Sequence, residues 1–337
     1  MKENEIEISL IVPYEDAKAF VENNAWQKSE IIDYYLDPLR RFRFQGNKLV
    51  ATHKNKQENK IRVERSTTIK TNIFEFKEFL RDCPLVITKT RYQKGNISID
   101  LIHSPMQIAK IEKEFKSVKD YDLAVNKLSA GIILNPLNAW SYFKRRIAIG
   151  GGPSTGKTTI SKTISLLLNT VYKANSSDIV EYATSFIQKT GRVPTLTDQS
   201  WIYTKQKERE AVVSKTNDII ISDCPIWISY IYTCRLRRKE ENTELANYVL
   251  GSMHKRAMEA LSLYEQTFIL KPLEFKKNKV RYQKSIKEAK EITREIKRFL
   301  IDHNHPFKEK TYNDLEEIQN EILYLNKFSE VKKELNL

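Results

Sequence analysis

Cysteine, histidine and long apolar runs are all scarce in this sequence of 337 residues. Three cysteines are too few for the disulfide framework of a small secreted protein. Five histidines show no spacing typical of a zinc site. No stretch approaches the roughly 20 apolar residues that a transmembrane helix needs, and the first residues do not form a basic-then-apolar leader. We therefore expect a cytoplasmic protein without a membrane span.

Glycine and proline, at 9 and 10 residues, are too few for a collagen-like chain, and 40% hydrophobic residues argue against disorder. The length predicts roughly two domains. Lys and Arg number 57 against 43 Asp and Glu, which gives a net charge of +14. Such an excess favours polyanionic partners, namely nucleotides, polyphosphate, nucleic acid or an anionic membrane surface.

The pattern of polar and apolar residues changes near Asn135-Pro136-Leu137-Asn138, a turn sequence that marks a domain boundary. Residues 1–138 show short segments of alternating polarity, which predict an α+β domain with a closed or strongly curved antiparallel sheet. The predicted strands are 5–12, 41–44, 48–54, 60–66, 85–92 and 96–102. Residues 141–337 alternate strand, glycine loop and helix, which is typical of a parallel α/β domain. Within it we expect a second strand at 170–174 and a helix at 179–189, and mainly helices after residue 270.

The segment from Gly151 to Thr158 matches the phosphate-binding loop pattern G-x-x-x-x-G-K-[ST], with an apolar strand before it and a helix-forming run after it. Backbone N–H groups of such a loop surround phosphate oxygens, while Lys157 reaches the β and γ phosphates and Thr158 can ligate Mg²⁺. The predicted nucleotide-binding residues are Gly151, Gly152, Pro153, Ser154, Thr155, Gly156, Lys157, Thr158 and Thr159.

Three carboxylates are candidates for the chemistry beside this loop. Asp223 ends the predicted apolar strand 218–223 and is the expected second Mg²⁺ ligand, although it could instead cap a helix that begins near Pro225. Asp178 and Glu181 follow the predicted second strand and are candidate bases for an acceptor hydroxyl. They could equally form the two ends of a helix capping box. Arg209 is a weaker candidate for binding a substrate anion.

Residues 145–235 resemble the nicotinamide-riboside-kinase-like, AAA-type group of P-loop kinases. The resemblance rests on the glycine loop, Glu181-Tyr182-Ala183, Gln206-x-x-Arg209-Glu210 and the strand that ends at Asp223. It implies ATP or GTP as phosphate donor, Mg²⁺ as cofactor, and a basic lid for which Arg281 is the candidate arginine. A solvated helix face would explain the basic residues of 271–298 equally well.

Charged residues alternate along several predicted strands of the first domain. The metal-binding candidates Glu5 and Glu7 are two residues apart, so both face the same side of a strand. Successive strands repeat such spacings with basic residues, which indicates a charged interior, although an edge strand would look similar. The candidate triphosphate-binding residues are Arg41, Arg43, Lys54, Arg62, Lys89 and Arg91.

Residues 3–130 resemble the CYTH or triphosphate tunnel metalloenzyme family. The resemblance is carried by Glu5-Ile6-Glu7, Arg41-Phe42-Arg43, Thr52-His53-Lys54, Arg62-Val63-Glu64, Lys89-Thr90-Arg91, Asp100 and Lys110-Ile111-Glu112. It implies a triphosphate held by the basic residues and Mg²⁺ or Mn²⁺ held by Glu5, Glu7 and Glu112. Two departures stand out, because Ser9 replaces a lysine and Lys110 replaces a glutamate; both leave hydrolysis of the triphosphate open.

The leading hypothesis is a bifunctional enzyme. A P-loop kinase would phosphorylate a nucleoside, a nucleotide or a nucleic-acid end, and a tunnel domain would bind triphosphate, with its metal-dependent hydrolysis left open. One alternative is a nucleotide-sensing regulatory NTPase without a small-molecule acceptor. Another is an enzyme that processes RNA or DNA 5′ ends, for which nucleic acid would be the partner. Oligomeric state is left open.

Overall fold

A computed structural model describes residues 2–54, 62–70, 76, 78, 80–239, 243–273 and 285–337, with the backbone alone for residues 2–5, 62 and 63. The chain divides into two compact units. The first contains residues 1–143, 171–174 and 320–337, and the second contains residues 144–170 and 175–319. This division differs from the predicted domains 1–138 and 141–337 mainly at the C-terminus, because residues 320–337 join the first unit.

The first unit contains a nine-stranded antiparallel sheet in the order β1-β6-β5-β4-β3-β7-β8-β9-β2. The strands are β1 (Lys2–Glu5), β2 (Glu7–Val12), β3 (Gln27–Tyr35), β4 (Arg40–Gln45), β5 (Lys48–Lys54), β6 (Arg62–Ile69), β7 (Leu85–Lys94), β8 (Ile97–Ser104) and β9 (Ile108–Glu114). The two end strands, β1 and β2, are separated along the chain by Ile6 alone. The sheet therefore closes on itself, as the predicted antiparallel tunnel requires.

The first unit also contains all or part of several helices. They are α1 (Tyr14–Glu22), α2 (Val118–Lys127), α3 (Ala139–Phe143) and, near the C-terminus, α10 (Leu315–Leu323) and α11 (Phe328–Leu335). Residues of α11 pack with the outward-facing side chains of β2, β8 and β9 in one apolar cluster. Asn326 adds hydrogen bonds to the backbone of Ile11 and Ile133. Burial of this cluster explains why the last residues of the chain belong to the first unit.

Strand β3 is absent from the sequence prediction although it lies between β4 and β7 in the tunnel. Its sequence, QKSEIIDYY, places apolar residues side by side and so hides the alternation of a half-buried strand. In the structure Ile31, Asp33 and Tyr35 are buried. The missed strand therefore carries a buried carboxylate into the tunnel interior.

The second unit is built on a five-stranded parallel sheet in the order β11-β12-β10-β13-β14. Its strands are β10 (Arg145–Gly150), β11 (Ser176–Ile179), β12 (Ile219–Ser222), β13 (Gln266–Leu270) and β14 (Lys308–Lys310). The helices are α4 (Lys157–Thr170), α5 (Tyr182–Thr190), α6 (Asp198–Thr216), α7 (Ile228–Arg237), α8 (Glu244–Leu261) and α9 (Ile286–Asp302). Together with the antiparallel tunnel, this parallel sheet confirms the predicted fold class.

The second unit's core lies on β10 and β13 and includes the fully buried Trp227. Two local predictions are wrong. Helix α4 continues to Thr170, so residues 170–174 do not form the second strand; that strand is β11. Consequently α5 begins at Tyr182 and not at residue 179. After residue 270, where the sequence predicted mainly helix, the structure also contains the short strand β14.

Candidate functional sites

The glycine loop connects β10 to α4, so its backbone N–H groups lie at a helix N-terminus, where anions bind favourably. Two glycines of the loop are required by packing. A Cβ atom at Gly152 would lie 2.4 Å from the carbonyl oxygen of Ala289 in α9. Gly156 has a φ of +82°, and a Cβ atom there would lie 2.4 Å from the ring of Tyr312. The loop is thus held tightly by neighbouring elements.

Lys157, Thr158 and Asp223 converge at this loop. The Nζ atom of Lys157 donates a hydrogen bond to the carbonyl oxygen of Gly152 at 2.7 Å. The hydroxyl of Thr158 donates to Oδ2 of Asp223 at 2.5 Å. Asp223 directly follows β12, and the next helix begins only at Ile228, so the alternative role of Asp223 as a helix cap is not observed.

The residues at this point fit a magnesium ion. Mg²⁺ is usually bound by one or two protein oxygen ligands together with phosphate oxygens and water, and Thr158 and Asp223 supply such ligands. Burial raises the pKa of Asp223, while the hydrogen bond from Thr158 and the charge of Lys157 oppose the rise. A bound cation would favour the ionised form of this carboxylate.

Glu181 and Asp178, the two candidate bases, are placed differently. Glu181 precedes α5 and lines a pocket of about 320 Å³ together with Lys157 and Asp223. Burial raises the pKa of Glu181, and Lys157 partly opposes the rise. Asp178 lies within β11 and is not among the residues that line this pocket. The capping-box interpretation is wrong, because Asp178 is a strand residue and Glu181 occupies the position before the helix.

Other residues of the pocket were not predicted from the sequence as site residues. Its walls include Tyr182, Cys224 and Tyr232. Gln206 also lines the pocket, and its Oε1 accepts a hydrogen bond from the backbone N–H of Tyr182 at 2.8 Å. Spacing alone does not bring these four residues together, because they come from separate segments of the chain that meet only in the fold.

Arg209, the candidate for binding a substrate anion, is not among the residues that line this pocket. The guanidinium of Arg209 donates to Ser185 at 3.0 Å and lies over the ring of Tyr182. Arg281 lies outside the described residues, so its predicted role in a lid stays a prediction.

The tunnel of the first unit encloses a cavity of about 440 Å³. Five of the six predicted triphosphate-binding residues line it, namely Arg41, Arg43, Lys54, Lys89 and Arg91. The side chain of the sixth, Arg62, lies outside the part of the chain that the structure describes. Lys110 is a further basic lining residue, and Asp33, from the unpredicted strand β3, lies among the basic residues.

Ion pairs join these side chains into one network. Asp33 lies 2.7 Å from Arg43, 3.5 Å from Lys89 and 3.7 Å from Arg41. Asp100 lies 2.6 Å from both Lys89 and Arg91. The network contains four carboxylates and six basic side chains: Asp33, Glu64, Asp100 and Glu112 with Arg41, Arg43, Lys54, Lys89, Arg91 and Lys110.

The network therefore carries an excess of two positive charges. Two further carboxylates, Glu7 and Glu114, line the cavity and lie opposite each other where β2 begins. Ser9 and Ile11, further along β2, face Glu112 and Lys110. Two carboxylates therefore lie together where β2 begins, and Glu112 and Lys110 lie at other positions of β9.

The network shifts the pKa values of its members. Burial would raise the pKa of Asp33, but Arg43, Arg41 and Lys89 together hold it well below its usual value. Burial lowers the pKa of Lys89 to about 8 against the opposing effect of Asp100. Glu112, although buried, has its pKa held well below the ordinary range by Lys110 and Arg91. Asp33 and Glu112 are therefore ionised at neutral pH.

The tunnel residues do not fit the divalent metal that the predicted set Glu5, Glu7 and Glu112 would hold. One oxygen of Glu112 accepts from Lys110, and the other accepts from Arg91 at 2.9 Å. Both oxygens are thus already neutralised by cations. Within the described ranges no group of three His, Cys, Asp or Glu side chains is arranged to hold a metal ion. The side chain of Glu5 lies outside what the structure describes.

The second unit has the fold and loop of a P-loop domain. Residues 146–317 match the family model described as an AAA domain, and this match covers half of the chain. The chain belongs to this family. A search of characterised proteins found no significant match.

Solved structures give weaker similarities. NadR, solved with NAD and AMP-PNP, is 16% identical over 58% of this chain and 50% of its own, with a TM-score of 0.40. Thymidylate kinase from Ehrlichia chaffeensis is 15% identical over 53% of this chain and 97% of its own, with a TM-score of 0.36. The PH1012 protein from Pyrococcus horikoshii OT3 is 20% identical over 40% and 96% of the two chains, with a TM-score of 0.29. Identities and scores this low do not establish a shared activity.

None of the helices in the described ranges is long and apolar enough to cross a membrane.

Proposed function

We propose that the second unit is a kinase that transfers the γ-phosphoryl group of ATP or GTP to a hydroxyl of a nucleoside or nucleotide. One observation carries the proposal: Lys157, Thr158, Asp223 and Glu181 all line one pocket. A phosphate-binding lysine, two oxygen ligands for a magnesium ion and a separate carboxylate are the groups that phosphoryl transfer to a hydroxyl requires.

In the proposed reaction Lys157 leaves the carbonyl of Gly152 and binds the β and γ phosphates of the donor. The oxygen of the acceptor hydroxyl bonds to the γ phosphorus, and Glu181 accepts the proton of that hydroxyl. The bond from the γ phosphorus to the β-γ bridging oxygen breaks, so the nucleoside diphosphate leaves. Mg²⁺, held by Thr158 and Asp223, would neutralise charge on the donor phosphates. The raised pKa of Glu181 suits a base, because a more basic carboxylate is a better proton acceptor.

An acceptor screen tests this proposal. The protein would be incubated with radiolabelled ATP, Mg²⁺ and a panel of nucleosides, nucleotides, nicotinamide riboside and 5′-hydroxyl oligonucleotides. We expect label on a nucleoside or nucleotide, and its loss in Lys157→Ala protein. Tight ATP binding without label on any acceptor would instead favour a regulatory NTPase. Label confined to oligonucleotides would favour the 5′-end enzyme.

For the first unit we propose that the tunnel binds a linear triphosphate group. The supporting observation is that five predicted basic residues line one cavity and are each oriented by a carboxylate. Bound phosphate oxygens would accept hydrogen bonds from these preoriented donors. The resemblance to the CYTH family and the hydrolysis of a bound triphosphate stay predictions. Release of phosphate from tripolyphosphate that is lost in Arg43→Ala protein and retained in Lys157→Ala protein would establish hydrolysis in the tunnel.

A further inference from the structure

Lys110 lies where the predicted metal ligands of the tunnel would need a cation. Its ammonium group is paired with Glu112. It also interacts electrostatically with Glu7, the other described member of the predicted metal-binding set. Both carboxylates were expected to hold a divalent ion, and in the fold a side chain of the protein provides them with a positive charge.

The surroundings of Glu112 reinforce this arrangement. Arg91 binds the second oxygen of Glu112 at 2.9 Å and also binds Asp100. Ser9, which faces Glu112 across the β2–β9 pair, supplies no charge. A divalent ion at Glu112 would have to displace Lys110 or Arg91 and would then lie next to a buried cation, which is electrostatically unfavourable.

We propose that the tunnel binds linear triphosphates without a divalent metal ion, and that Lys110 supplies the positive charge that a metal would otherwise bring. This inference rests on the proposed binding of triphosphate in the tunnel. The ligand class is the triphosphate chain itself, free as tripolyphosphate or attached to a nucleoside. Binding to a site of this kind needs no added cation, because every partner of the phosphates is already part of the chain.

Calorimetric titration of tripolyphosphate into the full-length protein tests the inference. All samples carry Lys157→Ala, which removes the phosphate-binding lysine of the other pocket. We expect binding in EDTA to be at least as tight as binding in Mg²⁺ or Mn²⁺. Binding that occurs only with a metal ion would overturn metal independence and leave triphosphate binding standing. Absence of binding under every condition would overturn both. Repeating the titration with ATP distinguishes the nucleoside triphosphate from the free chain.

Lys110→Glu is the sharpest variant. It places a second carboxylate beside Glu112, so we expect affinity in EDTA to fall roughly tenfold or more through repulsion of the phosphates. Added Mn²⁺ should then raise the affinity of Lys110→Glu protein to the level that the parent protein shows in EDTA. Lys113→Glu is the matched control, because it makes the same charge change on β9 at a residue that does not line the cavity. Unchanged affinity of Lys110→Glu protein in EDTA would overturn the role of Lys110. Circular dichroism would verify that both variants are folded, and Lys110→Met would test the charge loss if Lys110→Glu is not.

Discussion

The carboxylates of the two pockets have pKa values that are shifted in opposite directions. In the tunnel, Asp33 and Glu112 are surrounded by basic side chains, which lower their pKa values despite burial. In the P-loop pocket, burial prevails and raises the pKa values of Glu181 and Asp223. The tunnel therefore contains its own counter-charges, whereas the proposed function of the P-loop pocket requires a magnesium ion and a nucleotide. The difference agrees with the proposal of one metal-independent and one metal-dependent phosphate site in a single chain.

The largest effect should separate the two pockets by function. Lys157→Ala removes the only lysine of the glycine loop, and we expect phosphoryl transfer to fall by about 10³-fold, similar to the loss of a key electrostatic group in other enzymes. Steady-state kinetics would measure the loss. Lys162→Ala, an exposed change in the same helix α4, should leave the rate within about twofold. If Lys157→Ala reduced tripolyphosphate binding in the tunnel to the same extent as phosphoryl transfer, the two pockets would not be independent.

The next effect concerns the stability of the tunnel. Asp33→Ala leaves Arg41, Arg43 and Lys89 without their shared carboxylate, and we expect the free energy of unfolding to fall by about 3–5 kcal/mol. Urea denaturation would measure the change. Glu30→Ala, on the exposed face of β3, should cost less than about 1 kcal/mol. If Asp33→Ala lowered the free energy of unfolding by no more than Glu30→Ala does, the ion network would not stabilise the tunnel.

Glu181→Gln should have a smaller effect, restricted to the P-loop pocket. We expect kcat to fall by about 10²-fold with little change in ATP affinity, because the proton acceptor is lost and the phosphate contacts remain. In the parent enzyme, kcat should decline as the pH falls toward the raised pKa of Glu181, since the protonated carboxyl cannot act as a base. Asp178→Asn, outside the pocket, should retain both kcat and the pH profile. The opposite ranking of the two variants would transfer the role of base to Asp178.

The smallest expected effect is a decrease in the affinity of the tunnel for tripolyphosphate at alkaline pH. Lys89 has a pKa of about 8, so it is charged below that pH and loses its proton above it. We expect tripolyphosphate affinity to fall by about a few fold between pH 7 and pH 9, because the phosphates lose the charge of one lysine. Lys89→Arg should remove this pH dependence, because arginine remains charged throughout the range. A fall of equal size in Lys89→Arg protein would assign the titration to another group.

Much of both sites could be predicted from the sequence where a local pattern carries the chemistry. The glycine loop with Lys157 and Thr158 is such a pattern, and Asp223 could be found because it ends an apolar strand. The basic residues of the tunnel were visible as alternating charges. Asp33 was missed, because paired apolar residues on either side of it conceal the strand that carries it.

Other features depended on tertiary contacts that no local pattern encodes. Glu181 and Asp178 were equal candidates until the position of β11 placed one at the pocket and the other within a strand. The role of Lys110 required knowledge of which carboxylates surround it. Residues 320–337 could not be assigned to the first unit, because an amphipathic helix does not reveal which apolar surface it covers.

The central claim, two independent triphosphate sites of which one needs a metal ion, is tested most directly by the number of tripolyphosphate molecules that the unmodified protein binds. Calorimetry with Mg²⁺ present should give two per chain, and calorimetry in EDTA should give one. Lys157→Ala should abolish the magnesium-dependent site alone, and Lys110→Glu should weaken the other alone. A single site under both conditions, or two sites that both disappear in EDTA, would contradict the account.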